Sequence, residues 1–331
     1  MWYKEVSKDS DVVISSRVRF ARSIANLKFP HIMNTQELRK VMDLVDKSID
    51  SNKYTTLKMK DIDETTKGSL VEQHLISKEF VMQEEGEVVF NKDSSLVMMV
   101  NEEDHLRIQT FASGFNIDEC YNKLIKFTND LNKKIDFAIS DKYGYLVSCP
   151  TNVGSAMRVS VMLHLPALAK LNLLNDLLDQ AVSIGFSVRG LYGENTSGIG
   201  YIYQISNQKT LGITNEDIIS NLKLVISSII EQERKARKIL ESEDLWLEDA
   251  VYRAYGILKN SRIITSKEAL KLLSDLRLGV SMNMLKDIKL EKVQSLITQI
   301  EPYTLRKILG SNFNEQEENI KRAEYIRKEL V

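Results

Sequence analysis

Five arginines, two glutamates and one cysteine carry the chemistry open to this chain. Arg17 and Arg19 lie two apart in Val12-Val-Ile-Ser-Ser-Arg-Val-Arg-Phe20. That run alternates at period two, with Val12, Ile14, Val18 and Phe20 on one face and Ser15, Arg17 and Arg19 on the other. Neighbouring arginines on a strand face repel unless an anion lies between them; the plain alternative is a solvated polar face. Arg107 closes Asn101-Glu-Glu-Asp-His-Leu-Arg107, directly after the apolar run 96–100. In a regular strand Glu103, His105 and Arg107 share a face. A carboxylate beside cations stays ionised, which suits a base or a cation binder; a charged turn between two strands is the alternative. Around Cys149, Pro150, Gly154, Ser155 and Arg158 the chain reads as a strand-to-helix junction, with Ser155 as N-cap and Arg158 in the first turn. Such a junction gathers backbone N–H groups toward an anion and favours a Cys149 thiolate. An ordinary turn with a buried cysteine is the competing reading. Arg189, opposite the apolar side chains of Phe186–Gly190, leads into a run holding four glycines between positions 190 and 200, with Glu194 inside it. That composition suits a loop closing over a ligand.

Guanidinium forks bind phosphate oxygens through paired hydrogen bonds, so Arg17, Arg19, Arg107, Arg158 and Arg189 together fit a polyanion of triphosphate size. Glu103 and Glu194 would then face a cationic second substrate. The chain has no Walker-type phosphate loop, dinucleotide-binding glycine motif, serine-hydrolase elbow or two-histidine zinc motif. Four scattered histidines and two cysteines, Cys120 and Cys149, argue against a structural zinc site and a disulfide framework, and fit a reducing compartment. A formal net charge of −1 over 331 residues argues against a basic nucleic-acid surface. No signal-peptide core or membrane-length apolar run is present, so the expected location is the cytoplasm.

The elements that must position these residues follow from periodicity. Beyond the strand at 12–20, a helix is expected over 35–49 with Thr35 as N-cap, then a polar surface connection over 50–68, and a second helix over 69–81 containing His74. Strands are expected at 87–91 and 95–100, a helix at 116–133, and a hairpin turning on Asp141-Lys-Tyr-Gly144. Helix 156–165 and a longer one from Pro166 to about 184 come next, followed by strands at 186–190 and 201–206. From 215 the chain reads as helical, with helices at 215–243, 244–260, one after the Thr265-Ser-Lys-Glu268 capping box, 284–298, 302–309 and 315–330. The expected fold is α+β: a mainly antiparallel sheet flanked by helices over 1–244, then an all-helical C-terminal domain over 245–331.

The runs Ser15–Arg19, Asn101–Arg107, Cys149–Asn152 with Arg158, Arg189–Glu194 and Gln204–Gln208 resemble, in order, the motifs of the phosphagen (guanidino) kinase family. The resemblance spans about 12–235 and is strongest to the bacterial protein-arginine kinases. Small-molecule members carry a helical domain ahead of the first arginine motif, whereas here that motif begins at Ser15 and a helical unit follows the core. The resemblance implies ATP-dependent phosphorylation of protein arginine side chains; a small-molecule guanidino kinase and a catalytically silent adaptor are the alternatives. It implies ATP contacts from Ser15, Ser16, Arg17, Val18 and Arg19, from His74 and Arg107, from Arg158, Val159, Ser160, Val161 and Met162, and from Arg189, Gly190, Leu191, Tyr192 and Gly193. Glu103 and Glu194 would grip the substrate guanidinium, with Glu103 as base and Cys149 orienting it. Mg²⁺ would be held by ATP phosphates, with no direct protein ligand and Glu102 reaching it through water. Implied partners are proteins with exposed arginine, an activator protein, a stress-response repressor, Clp-type protease machinery and a second copy of the chain, with roles in quality-control proteolysis. Members of that branch bind phosphoarginine at an Arg-Asp-x-x-Arg-Ala motif. Here the run is Glu318-Asn-Ile-Lys-Arg-Ala323; a glutamate there repels phosphate, so feedback by that route is not expected.

Overall fold

The computed structural model describes residues 1–190, 198–243 and 245–330. The alternating run becomes β1 (Val13–Arg22). α1 (Thr35–Ser48) begins where expected, but Asn34, not Thr35, is the N-cap, in a reciprocal capping box with Glu37. The supposed surface connection holds β2 (Tyr54–Lys58) and the start of α2 (Glu64–Glu72). β2 lacks an apolar signature because it is an edge strand, paired only with β3 (Glu87–Asn91). α2 stops short of the expected helix: His74 adopts a left-handed backbone (φ 59°) and Leu75 N–H bonds back to Leu70 C=O. β4 (Leu96–Val100), β5 (Leu106–Ser113), α3 (Ile117–Asn132) and the hairpin β6 (Ile139–Ser140) to β7 (Gly144–Tyr145) follow the expectations closely.

The largest departure lies at β8 (Met157–His164), a strand where Ser155 as N-cap predicts a helix. Val159, Val161 and Leu163 alternate with Arg158, Ser160 and Met162, and strands on both sides can satisfy the backbone of that pattern. The expected helix from Pro166 divides into α4 (Pro166–Lys170) and α5 (Leu174–Ser183), broken at Asn172 with φ 58°. β9 (Phe186–Gly190) and β10 (Ile202–Asn207) complete an eight-stranded antiparallel sheet in the order β2-β3-β4-β5-β1-β8-β10-β9. α3 covers β1 and β5, while α6 (Asn215–Glu243) covers β8 and β10. Val18, Phe20, Val159 and Val161 are fully buried, and Phe20 meets Tyr121 of α3 edge-on. Cys120 of α3 is buried and unpaired, its thiol pushed up to about 12 by burial.

The C-terminal region is helical: α7 (Leu245–Asn260), α8 (Ser266–Ser281), α9 (Leu290–Gln299), α10 (Pro302–Leu309) and α11 (Glu315–Glu329). α9 starts later than the helix expected from 284. This region is bolted to the sheet by buried polar groups. Fully buried Arg277 of α8 donates to the Asp11 and Ser10 carbonyls at 3.0 and 2.6 Å, and to His164 Nδ1 at 2.8 Å. His164 Nε2 in turn lies 2.8 Å from Ser274 Oγ. Because Nδ1 accepts, the proton sits on Nε2, and burial beside Arg277 holds the imidazole neutral. Glu72 of α2 accepts from the Tyr303 and Thr304 N–H groups at 3.0 and 2.7 Å, capping α10 from another part of the chain. Arg322, counterpart of the motif arginine near the C-terminus, is spent internally. It donates to Glu318 and Asn319 and to the Ile300 carbonyl, while Glu318 also pairs with Arg306 at 2.7 Å.

One buried acid opposes stability. Glu87 on β3 is fully buried, and neither carboxylate oxygen has a hydrogen-bond partner among the described residues. Burial first, then Asp46, pushes its pKa up to about 8. Between the unfolded carboxyl value and about 8 the folded chain holds a proton that the unfolded chain has lost, so stability falls as pH rises through that window. Glu87→Gln is expected to be a few kcal/mol more stable than wild type at pH 9 and nearly equal near pH 4.5. Chemical denaturation of both proteins at the two pH values checks this.

Candidate active site

The odd residues of β1 and their register partners build one cationic face. Arg19 lies opposite Arg158 on β8, Arg17 opposite Ser160, and Ser15 opposite Met162. Arg107 on β5 lies opposite Ala21, and Arg189 on β9 opposite Gln204 on β10. The arginines therefore step along β1 from the level of residue 21 toward that of residue 15. A cavity of about 800 Å³ opens over this face, and Arg17, Arg19, Arg107 and Arg189 line it together with His74. Ser15, Ser160 and Met162 line a narrow crevice beside it, with Arg17 and His74.

The guanidinium groups are aimed by Ser160, expected instead to contact ATP, and by Gln204 and Ser206, to which sequence reasoning gave no role. Arg17 donates to Gln204 Oε1 at 2.7 Å and to Ser160 Oγ at 3.3 Å. Arg158 donates twice to Ser206 Oγ, at 3.1 and 2.9 Å. Gln204 and Ser206 are alternate residues of β10, so both reach the same face. Asn207 next to them accepts from Val159 N–H at 2.8 Å and donates to the Met157 carbonyl, fixing β8 behind Arg158. The run 204–208 was the only signal that could have revealed them. Arg19 Nε has no hydrogen-bond partner among the described residues. Crowding marks the electrostatics: burial, then Arg107, Arg158 and Arg189, pull Arg17 down to about 9. Burial and Arg17, Arg107 and Arg158 depress Arg19 further. Burial, Arg17 and Lys78 lower His74 to about 4, leaving a neutral ring in the cavity at neutral pH.

Only alternate residues of the sequence motifs reach this cavity. Ser16, Val18, Val159 and Val161 turn to the opposite face. Ser16 Oγ donates to the Gly114 carbonyl and accepts from Asn116 N–H at the head of α3, while the three valines fill the core. Period two makes this unavoidable, and their backbone groups are engaged in strand pairing. Gly190 lines the cavity; Leu191, Tyr192, Gly193 and Glu194 lie outside the described residues.

Asn101–His105 is a hairpin loop between β4 and β5, not regular strand. Asn101 N–H bonds to the His105 carbonyl, and Asn101 has φ 62°. Glu103, His105 and Arg107 therefore do not share a face. His105 is buried, its Nδ1 accepting from Ile24 N–H, and burial lowers it to about 4. The three acids divide the work. Glu102 accepts from Arg107 Nη1 and Ser77 Oγ, both at 2.5 Å, and from Glu103 N–H at 3.0 Å. Burial opposes its ionisation, but the Arg107 pair and these hydrogen bonds outweigh it and hold the carboxylate low. Asp104 accepts from Ser23 Oγ at 3.0 Å and Ser148 N–H at 2.6 Å, which pins the loop to the residue before Cys149. Glu103 is left exposed, its carboxyl influenced by the Cys149 side chain, which opposes the rise in its pKa. Burial, then Asp104 and Glu102, raise its pKa.

Cys149 is half-buried, 3.0 Å from Thr151 Oγ1, ahead of a short turn at Pro150–Asn152. No α-helix begins at Ser155, so the helix N-terminus expected to favour a thiolate is not there. Among the described residues no group of three or more His, Cys, Asp or Glu could hold a metal ion. A divalent cation held by phosphate oxygens fits that donor set. Glu102, both of whose oxygens are occupied by protein donors, is poorly placed to bind one directly.

Residues 30–236 match the family model described as ATP:guanido phosphotransferase, C-terminal catalytic domain. Residues 244–331 match the one described as protein-arginine kinase McsB C-terminal domain. A protein-arginine kinase of Caldanaerobacter subterraneus subsp. tengcongensis is 42% identical over 330 residues, spanning 97% of this chain and 98% of its own. One from Clostridium tetani is 37% identical over 333 residues, spanning 99% and 98%. Among solved structures, the duplicated taurocyamine kinase of Schistosoma mansoni with bound transition state analog components aligns at TM-score 0.61 and 30% identity, over 68% of this chain and 33% of its own length. Lombricine kinase shares the fold at TM-score 0.61 and 21% identity, over 70% of each chain. The chain belongs to the ATP:guanido phosphotransferases, in the branch of the protein-arginine kinases.

Proposed function

We propose that this protein transfers the γ-phosphoryl group of MgATP to arginine side chains of proteins. The observation that carries the reading is the ladder of arginines facing one cavity, with Glu103 exposed on the 101–105 loop beside its Arg107 end and the Cys149 segment pinned to that loop through Asp104. Arg17, Arg19, Arg107, Arg158 and Arg189 would neutralise the triphosphate, and His74 would meet the nucleotide as a neutral ring. Mg²⁺ on the phosphate oxygens would supply further charge neutralisation. The substrate Nη attacks the γ-phosphorus in line; the N–P bond forms, the bond to the bridging oxygen breaks, and ADP leaves. A guanidinium is a poor nucleophile at its ordinary pKa, so Glu103 takes the Nη proton as attack proceeds. Its raised pKa brings it closer to the strength a base needs. Glu194 would hold the guanidinium from the second side, and Cys149 would orient it.

We assign residues 1–244 to catalysis and 245–331 to a dimerisation and regulatory unit, supported by where the two family matches meet. Exposed apolar residues on α7, Leu245 at 78% and Trp246 at 82%, support a homodimer. The proteins marked would be those destined for quality-control proteolysis by Clp-type machinery, together with a stress-response repressor, in the cytoplasm and under an activator. Among the described residues no helix is long and apolar enough to cross a membrane.

Label from γ-labelled MgATP is expected on a basic unfolded protein as an acid-labile adduct, with little on free arginine. Label on free arginine alone would return the chain to metabolite kinases. Glu103→Gln should fold and bind ATP while losing about 10²–10⁴-fold in turnover. The sign of the Glu103 shift in the free protein places the acid limb of kcat/KM above the ordinary glutamate range, the rate falling as pH drops through it; a pH profile of kcat/KM reads this directly. Ser206→Ala, which removes two hydrogen bonds that aim Arg158, should raise KM for ATP about tenfold and leave the thermal midpoint nearly unchanged.

A further inference from the structure

The cavity has a wall that the sheet does not supply. Ile297 and Thr298 of α9 and Pro302 and Tyr303 of α10 line it together with Val71, His74 and Ile76. Two independent attachments fix this corner. Gln294 of α9 donates to the Glu5 carbonyl at 3.1 Å and the Ile14 carbonyl at 3.4 Å, which sets α9 over the start of β1. The Tyr303 ring lies so close to Gly68 of α2 that a Cβ there would come within 2.2 Å of it, and Glu72 one turn on caps α10. The corner is thus clamped beside His74, which follows the end of α2.

The direction of the arginine ladder says what this wall must meet. Arg107 and Glu102 sit at the level of residue 21 of β1, next to Glu103, so the transferred phosphoryl group belongs at that end. Arg19 with Arg158, then Arg17, then Arg189 carry positive charge back toward the level of residue 15. The seven rises of strand between Ile14 and Ala21 span about 23 Å, enough for an extended nucleoside triphosphate with its acceptor. The base and ribose then fall at the Ile14 end. There Ile14, Val71, Ile76 and Ile297 join the lining, an apolar surface a flat heteroaromatic base prefers, with the carboxylates Glu72 and Glu301 among them as acceptors for ribose or base N–H and O–H groups.

We infer that the α9–α10 corner of the C-terminal region forms the outer wall of the nucleoside end of this cavity. The base and ribose are bound jointly by the sheet and the C-terminal helices, whereas an inorganic polyphosphate is bound by the sheet alone. The inference rests on the proposed triphosphate role of the arginine face. By linkage, nucleotide binding stabilises the packing of α9 and α10 against α2, and a change in that packing alters nucleotide affinity.

The test uses the full chain and two probes, ATP and inorganic tripolyphosphate. In wild type, ATP should slow backbone hydrogen exchange across 290–309, and saturating tripolyphosphate should not. By calorimetry, Ile297→Ala should bind ATP about tenfold more weakly and tripolyphosphate as wild type does; the near-isosteric Thr298→Val should follow the same pattern more weakly. Exchange in 290–309 that is indifferent to ATP, or slowed equally by both ligands, overturns the inference whatever the variants do. Unchanged ATP affinity in both variants also overturns it. If tripolyphosphate fails to bind wild type at all, the arginine-face reading falls instead, and this inference with it.

Discussion

The mutual repulsion of guanidinium groups on one sheet face is the constraint on which the rest of this structure depends. Adjacent strands bring Arg17, Arg19, Arg107, Arg158 and Arg189 into neighbouring register, and burial removes the water that would otherwise screen them. Such a face survives only if each cation is individually restrained. Gln204, Ser160 and Ser206 hold two of them with neutral acceptors, and Glu102 holds a third. Neutral acceptors aim an arginine without cancelling its charge, so the face stays strongly attractive to a polyanion. Arg19, lowered by burial and by Arg17, Arg107 and Arg158, has an Nε with no hydrogen-bond partner among the described residues, a position an incoming phosphate oxygen can fill.

The hairpin loop at 101–105 solves the opposite problem, leaving one carboxylate of three exposed. Identical chemistry in consecutive residues is separated by partner. Glu102 is neutralised by Arg107, and Asp104 is consumed by Ser23 and the Ser148 N–H group. Glu103 keeps an exposed carboxylate whose environment favours taking up a proton. The same Asp104 contact brings the Cys149 segment to the loop, so the acid that performs no chemistry fixes the distance between two groups that would.

The helical C-terminal region shares one continuous apolar core with the sheet, and buried polar contacts set within it fix how the two meet. Arg277 reaches the backbone just ahead of β1 and the imidazole that ends β8, the two strands carrying Arg17, Arg19 and Arg158. Glu72 links α2 and α10 across more than two hundred residues of chain. Breaking one partner of such a pair strands a buried charge, so the relative placement of the two regions is discrete. Arg322, the counterpart of a ligand-binding arginine in related proteins, is drawn into the same kind of internal pairing with Glu318.

Much of the fold and the reacting groups could be read from local pattern, because alternation and helical periodicity are local properties. β1 split its faces as Val18 and Phe20 against Arg17 and Arg19, and α3, β9, β10 and α6 formed where expected. Pattern failed where the deciding partner was remote. Residues 157–164 became a strand because β1 and β10 stood ready to pair with them, and β2 joined the sheet edge without an apolar signature. The site shows the same division. Residue type singled out the arginines as candidate phosphate binders and Glu103 and Glu194 as candidate carboxylates for a cationic substrate. Which acid stays free, which hydroxyl aims Arg158 and which helices wall the cavity depend on residues tens to hundreds of positions apart, and only the tertiary structure could decide them.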